Sequence, residues 1–293
     1  MVTQKSYQIV HLSDPHLTAK DNDKRTQPDI FGALTGMNKS FRNLLKSPIL
    51  KEADLLIITG DITDKGSITA WKFFWDALQQ NNLTKKVLVI PGNHDVCCLD
   101  PFALPININK TKMEKLKTGL KLGNQPIRFP WIKVFKPEIV VFGLNSNNAG
   151  NWTVATNARG KLDNKQLSAF DNLLNKYQDI PVKIVALHHS PNIPRSDTEK
   201  RRGMEPTLTL DRLLMSIPTK QRRAFRSICR NHRVRLVLHG HIHRLETRVV
   251  NGLRIIGAPA FTEPDSKGAY IFWRYLIKKP SLRTYAEKCA VQL

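Results

Sequence analysis

At 293 residues with 41% hydrophobic content, the chain is long enough to bury a continuous core, so a globular protein is expected. Its 46 Lys and Arg against 24 Asp and Glu give a formal charge of +22, more than solubility requires; an anionic partner is expected, whether nucleic acid, an anionic membrane surface or a phosphorylated substrate. Met1 to Ser6 runs directly into Tyr7-Gln8-Ile9-Val10, no apolar stretch approaches the ~20 residues that span a bilayer, and the four cysteines lack metal-type spacing, with Cys97 and Cys98 adjacent. A secreted, membrane-spanning or disulfide-framed protein is therefore not expected, and a cytoplasmic location is, with any membrane contact peripheral on the inner face.

In chain order, short β-branched runs at 9–12, 55–59, 87–90, 139–144, 184–187 and 234–238 read as buried strands. Helical patterns lie between some of them. Trp71, Phe74, Trp75 and Leu78 share one face, as do Leu167, Phe170, Leu174 and Tyr177, where Asp163 and Gln166 form a plausible capping box. A third helix is expected over 219–229, with basic residues around much of its surface. Alternating strands and helices predict an α/β layered fold. Without repeats or a linker, residues 1–293 read as one domain. The lysine-rich segment 107–123 and the polar, proline-bearing segment 190–209 read as surface excursions that could overhang a site.

The chemistry-bearing residues sit just after predicted strands, where an α/β sheet offers its loops to a ligand. Asp14-Pro15-His16 follows the first, Gly60-Asp61 the second and Gly92-Asn93-His94-Asp95 the third; His188-His189 and Gly240-His241-Ile242-His243 follow later ones. Each alone has an ordinary explanation as a turn, a cap or strand alternation; their joint occurrence is the informative signal. Carboxylate, imidazole and amide oxygen suit divalent manganese, iron or zinc rather than calcium. So many candidate ligands exceed a single tetrahedral zinc site and predict two divalent metal ions, with a carboxylate such as Asp61 as the bridge. Such a pair acidifies a bound water and neutralises phosphoryl oxygens, while a neighbouring histidine assists the leaving oxygen.

The order Asp14-x-His16, Gly60-Asp61, Gly92-Asn93-His94-Asp95, His188 and Gly240-His241-x-His243 resembles the calcineurin-like metallophosphoesterase superfamily. The resemblance implies a four-layer αββα sandwich of two mixed sheets flanked by helices. It also implies a metal-dependent hydrolase of phosphodiester or pyrophosphate bonds that uses a metal-bridged hydroxide. By the same resemblance, Asp14, His16 and His243 look like ligands of one metal, Asn93, His188 and His241 of the other, and Asp61 their bridge, with manganese favoured. His94 looks like the acid that stabilises the transition state. Asp64, in Gly60-Asp61-Ile62-Thr63-Asp64-Lys65-Gly66, looks like its orienting partner, with Lys65 meeting phosphate. His188 is favoured over His189 because it emerges first from Ile184-Val185-Ala186-Leu187.

The branch most similar by eye contains cyclic-nucleotide phosphodiesterases, with a similarity also to hydrolases of UDP-2,3-diacylglucosamine in lipid A synthesis. Charge favours the latter, because an acylated nucleotide sugar must be collected from an anionic bilayer, each nearby Lys or Arg contributing roughly 1 kcal/mol. Lys110, Lys112, Lys115, Lys117 and Lys121 around Met113, Leu116 and Leu120 fit an interfacial amphipathic helix, though a solvated helix with its apolar face in the core fits equally. Arg195, in the polar excursion, is a candidate substrate contact, and Arg222, Arg223, Arg226, Arg230, Arg233 and Arg235 are candidate phosphate or head-group contacts. The aromatic run Tyr270, Phe272, Trp273 and Tyr275 reads as a terminal strand, with an interfacial belt or base-stacking surface as the alternative. A cyclic-nucleotide phosphodiesterase or nuclease is the second functional expectation and a non-catalytic scaffold the third; no obligate protein partner is evident.

Overall fold

The computed structural model describes residues 6–25, 34–96, 105–147, 157–193, 196–200 and 215–293. The elements, in order, are β1 (Ser6–Leu12), α1 (Met37–Leu44), α2 (Pro48–Glu52), β2 (Leu55–Thr59), α3 (Ile68–Gln80), β3 (Val87–Ile90), α4 (Pro105–Leu122), β4 (Trp131–Lys136) and β5 (Ile139–Gly143). They continue with α5 (Asn164–Lys176), β6 (Val182–Ala186), α6 (Ser196–Lys200), α7 (Thr219–Asn231), β7 (Leu236–His239), β8 (Glu246–Val250), β9 (Leu253–Gly257), β10 (Tyr270–Lys278) and β11 (Arg283–Val291).

One sheet has the order β11-β10-β1-β2-β3 and the other β4-β5-β6-β7-β9-β8. Each is mixed: β1, β2 and β3 run parallel, β10 lies antiparallel beside β1 and β11 antiparallel beside β10, and β5, β6, β7 and β9 run parallel with antiparallel β4 and β8 at the edges. The two-residue side-chain period decides the layers. Val10, Leu56, Ile58 and Val89 point outward to α1, α3 and α4, whereas Ile9, Ile57 and Ile90 face the second sheet's Val141, Ile184 and Leu238. The alternate residues Phe142, Val185 and Val237 meet Phe170 of α5 and Phe225 of α7. Four layers, αββα, result. Buried on both faces, the central strands read as continuous apolar runs, and each fully buried Leu, Ile or Val contributes about 1.5–3 kcal/mol.

Two expectations are corrected, and the aromatic run takes the terminal-strand reading over its alternative. Segment 107–123 is not an excursion but lies in α4, whose Leu116 and Leu120 are 2% and 1% exposed in the core beneath α3. Gly119 and Gly123 admit the rings of Trp71 and Trp75, and Trp75 donates to the Gly119 carbonyl at 2.7 Å. That apolar face is spent inside the protein and is not presented to a bilayer. The aromatic run is β10, paired along β1, with Phe272, Trp273 and Tyr275 buried, so it forms no interfacial belt or stacking surface. The capping box is half made: Asp163 accepts from the Gln166 amide at 2.8 Å, but the Gln166 side chain bonds the Asn145 backbone instead. No helix among the described residues is long and apolar enough to cross a membrane.

Candidate metal centre

Five loops converge where parallel strands of both sheets end. Residues 13–17 follow β1, 60–66 follow β2, 91–96 follow β3, 187–190 follow β6 and 240–243 follow β7. Backbone bonds sew them together: Asp14 and His16 donate to the Gly60 and Asp61 carbonyls, and Gly240 to that of His188. The chain is strained here, since Asp14, His16, Asp61, His241 and His243 all have φ between 46° and 70°, the left-handed region that non-glycine residues avoid. Such conformations cost of order 1–3 kcal/mol each and persist where the surroundings fix them. Close contacts give Gly240, and Gly60 in addition to its φ of 103°, a reason to be glycine. A Cβ on Gly60 would lie 2.2 Å from His188 Nδ1, and one on Gly240 would lie 1.8 Å from Ser13 Oγ and 2.4 Å from Asp14 Oδ2.

The predicted donors meet in two sets. In the first, His243 Nε2 lies 3.4 Å from Asp14 Oδ1 and 3.3 Å from His16 Nε2, which is 3.6 Å from Asp61 Oδ2. In the second, His188 Nε2 lies 2.9 Å from Asn93 Oδ1 and 3.4 Å from the same Asp61 Oδ2, with the His241 ring 4.9 Å from that of His188 between centroids. Their atoms form groups spaced for coordination, Asp14 with His16 and His243, and Asp14 with Asp61 and His188. Metal–ligand bonds of ~2.0–2.2 Å place neighbouring donors roughly 3 Å apart, so the spacing fits two ions sharing Asp61. The protonation pattern fits at His241, His16 and Asp61; burial would lower His188, but the Asp61 carboxylate pushes it up to about 9, so this imidazole gives up a proton when a metal binds. Burial holds His241 down to about 3, and its buried Nε2 has no hydrogen-bond partner, so a neutral lone pair is offered to the site. Burial also holds His16 well below its usual value, with Arg25 and His94 adding to the effect. Burial would raise the Asp61 carboxyl, but the imidazoles of His188 and His94 bring it well below the usual range.

Outer contacts aim these groups. His188 Nδ1 donates to the Thr59 carbonyl at 2.8 Å, which turns Nε2 toward Asn93 and Asp61. His189 Nδ1 meets Ser146 Oγ at 2.9 Å and its ring packs 4.4 Å from that of His241. His188 therefore faces Asn93 and Asp61, while His189 groups with His188 and His241 at coordination spacing. The His94 amide fixes Asp61 Oδ1 at 2.8 Å, and the His241 amide reaches Asp14 Oδ2 at 3.1 Å, a bond from one sheet to the other. His94 Nδ1 donates to the Asp64 backbone carbonyl at 2.9 Å; the Asp64 carboxylate is 3.7 Å from that nitrogen and from His16 Nδ1. The expected partner of His94 is thus residue Asp64, acting mainly through its main chain. Lys65 is exposed beside it on a small cavity's rim. Arg195 and residues 201–209 lie outside the described residues, while Glu199 of α6 accepts from Arg244 at 2.9 Å, next to His243.

Three residues were not anticipated. Asp95 is a buried staple that accepts from the amides of Ile62, Thr63 and Gly92, tying the Asp61 loop to the His94 loop; burial and Asp61 push its carboxyl up to about 7. Arg25 sends a buried guanidinium into the site, where Nη2 lies 3.4 Å from His243 Nε2 and Nη1 pairs with Glu263. Burial pushes Arg25 down to about 10 while Asp14, Asp64 and Asp61 oppose the shift. Glu263 Oε1 lies 3.7 Å from His243 Nδ1 as well.

A strained constellation of this composition, at the strand ends of an αββα sandwich, defines a metal-dependent phosphoester hydrolase. The chain belongs to the calcineurin-like phosphoesterase family, whose model matches residues 7–245. It is 26% identical over 257 residues, 87% of this chain and 86% of the relative, to a "Probable cyclic nucleotide phosphodiesterase" of Vesicomyosocius okutanii. It is also 26% identical over 250 residues, 85% of this chain and 77% of the relative, to a "Probable glycerophosphodiester phosphodiesterase GpdQ" of Arcobacter nitrofigilis. A dimetal phosphatase from Danio rerio shares the fold at 12% identity and a TM-score of 0.64, covering 96% of this chain and 98% of that one.

Proposed function

We propose that the protein is a dinuclear phosphodiesterase, with Asp14, His16, Asp61 and His243 holding one divalent ion and Asp61, Asn93, His188 and His241 the other. The observation that carries this reading is Asp61 Oδ2 lying within 3.6 Å of His16 Nε2 and 3.4 Å of His188 Nε2, one carboxylate oxygen between two donor sets. Mixed nitrogen and oxygen ligands favour manganese, with iron or zinc as alternatives. When bound, the ions acidify a water and draw charge from the phosphoryl oxygens. The protein's own groups do the rest. His94, its Nδ1 committed to Asp64, keeps Nε2 for the leaving oxygen, to which the imidazolium delivers a proton. Arg25, braced by Glu263, supplies a fixed cation for a non-bridging oxygen, and Lys65 supplies a mobile one.

The relatives' names support a phosphodiester of a cyclic nucleotide or of glycerol as substrate. The second reading, UDP-2,3-diacylglucosamine at a membrane surface, keeps the charge of +22 in its favour but not α4, whose apolar residues are in the core. Manganese-dependent hydrolysis of cyclic AMP, a glycerophosphodiester and the lipid pyrophosphate in parallel decides among them. Turnover of either diester is expected, and selective cleavage of the lipid would replace this reading by the second. His94→Ala should retain both ions by elemental analysis and lose at least about 100-fold in kcat, whereas Asp61→Asn should lose metal as well. Wild-type turnover in either variant would refute the site.

A further inference from the structure

The basic residues of α7 and its exit are not used by the metal centre. Arg230, Arg233 and Arg235, with Lys183, line a cavity of about 600 Å³ together with Pro181, Val234 and Leu253. These residues begin β6, β7 and β9, so the cavity opens at the amino-terminal ends of the strands whose other ends carry His188 and His241. At about 3.3 Å per residue, Lys183 and His188 are roughly 15 Å apart along the chain's path through the sheet. No carboxylate lines the cavity. Among the described residues, Arg230, Arg233 and Arg235 form no side-chain ion pair. Burial pushes the Lys183 ammonium below its usual range, Asp179 opposing and Arg233 adding to the shift.

The backbone singles out Arg233. The Val234 amide donates to the Cys229 carbonyl and the Arg233 amide to that of Arg230, which is a Schellman ending of α7. Arg233 occupies the left-handed position at φ 55°, where glycine is the default and a side chain costs about 1 kcal/mol. Cations at a helix carboxyl end favour the dipole, which accounts for Arg230 and Arg233. It does not account for Lys183 of β6, whose Nζ donates to the Gln178 carbonyl at 2.8 Å, or for Arg235 just before β7, both of which line the same space.

We propose that this cavity is a second binding site, for a compact polyphosphate anion such as a nucleoside di- or triphosphate or an inorganic polyphosphate. Its volume is in the range of small-ligand pockets, and three guanidiniums and an ammonium converging on one space suit several phosphates held close together. A single phosphate would leave most of the charge unmatched. The site is physically separate from the metal centre, so its test does not depend on the proposed reaction.

The test is calorimetric titration of inorganic tripolyphosphate, ATP and a single-stranded oligonucleotide into the full-length chain held in chelator. Wild type, Arg233→Glu/Arg235→Glu, Asp61→Asn and the control Lys72→Glu/Lys117→Glu, which makes the same charge change at exposed sites on α3 and α4, are compared. The expected result is binding of tripolyphosphate that weakens at least tenfold in the cavity variant and stays within about twofold in the other two, a tenfold loss corresponding to 1.4 kcal/mol. ATP binding more tightly than tripolyphosphate would identify the nucleotide as the source of the phosphates, and the reverse an inorganic chain. Equal weakening in both charge-reversed variants, loss in Asp61→Asn alone, preference for the oligonucleotide, or no wild-type binding would each overturn the proposal. Arg233→Gln/Arg235→Gln, which only removes charge from two exposed residues, should show the same loss with an unchanged melting curve.

Discussion

At the scale of single residues, the site is made by groups whose second contact fixes the first. His94, His188 and Asp61 each spend one polar atom on the backbone and keep the other for the site, so removing an outer contact should change geometry without removing a ligand. Arg25 differs, because its cation contributes charge directly. Arg25→Ala should keep its metal by elemental analysis yet lower kcat/KM by about 10²-fold, a change of the size measured when one fixed donor to a developing oxyanion is lost; unchanged kinetics would show the guanidinium to be only a counter-charge. His11 is a buried titrating group outside the ligand set, bonded to the Tyr275 hydroxyl at 3.1 Å and Thr59 Oγ1 at 2.9 Å. Burial, with His239 adding to it, lowers its pKa from 6.5 to about 3. The unfolded chain therefore takes up the proton first, so this contribution is fully present above pH 6.5 and is lost as pH falls toward 3. His11→Asn should melt lower at pH 7.5, by about 1–3 kcal/mol of lost hydrogen bonding, and should show a shallower decline in melting temperature between pH 6.5 and 4 than wild type.

At the scale of elements, legibility in the sequence followed how local each signal was. The strands 55–59 and 87–90 were readable because burial on both faces makes them almost wholly apolar, and 9–12 because His11 alone interrupts its apolar run; the donors were readable because they directly follow those strands. The turn Asn251-Gly252, with φ of 50° and 80°, has the Asn-Gly chemistry of a tight hairpin and joins β8 to β9. Helix α4 was read as a surface excursion, with a core-facing apolar side as one of two choices, because its lysine-rich face dominates its composition, while its contact with the core depends on Trp71 and Trp75, far away in sequence. Arg25, Glu263 and Asp95 were missed for the same kind of reason: a cation before a loop or an aspartate after a histidine has no local mark of burial. Only the fold brings Arg25 to Glu263 and His243. The position of α4 is checked by Leu120→Ala, which should cost about 2–5 kcal/mol in chemical denaturation while leaving liposome partitioning unchanged. Unchanged stability with lost liposome binding would return the helix to the membrane.

At the scale of the whole molecule, the candidate ions are also structural cross-links. Asp14, His16, Asp61 and Asn93 hang from the first sheet, and His188, His241 and His243 from the second, so each donor set draws on both. Four nearly fully buried carboxyl groups, Asp14, Asp61, Asp64 and Asp95, and five strained residues meet at this seam, where Arg25 supplies a compensating charge. Binding to the folded state alone should therefore stabilise the sandwich strongly, by about 2.7 kcal/mol per ion at a hundredfold excess over Kd. Chelation should lower the melting temperature of the wild type by roughly 5 °C or more, reversibly on adding manganese. It should also raise hydrogen exchange in 13–17, 60–64, 92–96 and 240–243 more than in the helices. In Asp61→Asn, which removes the ligand common to both sets, chelation should have little further effect. If chelator leaves the wild type's melting and exchange unchanged, the seam is held by the backbone bonds between the loops alone, and the strain at Asp14, His16, Asp61, His241 and His243 is sustained by the fold without the ions.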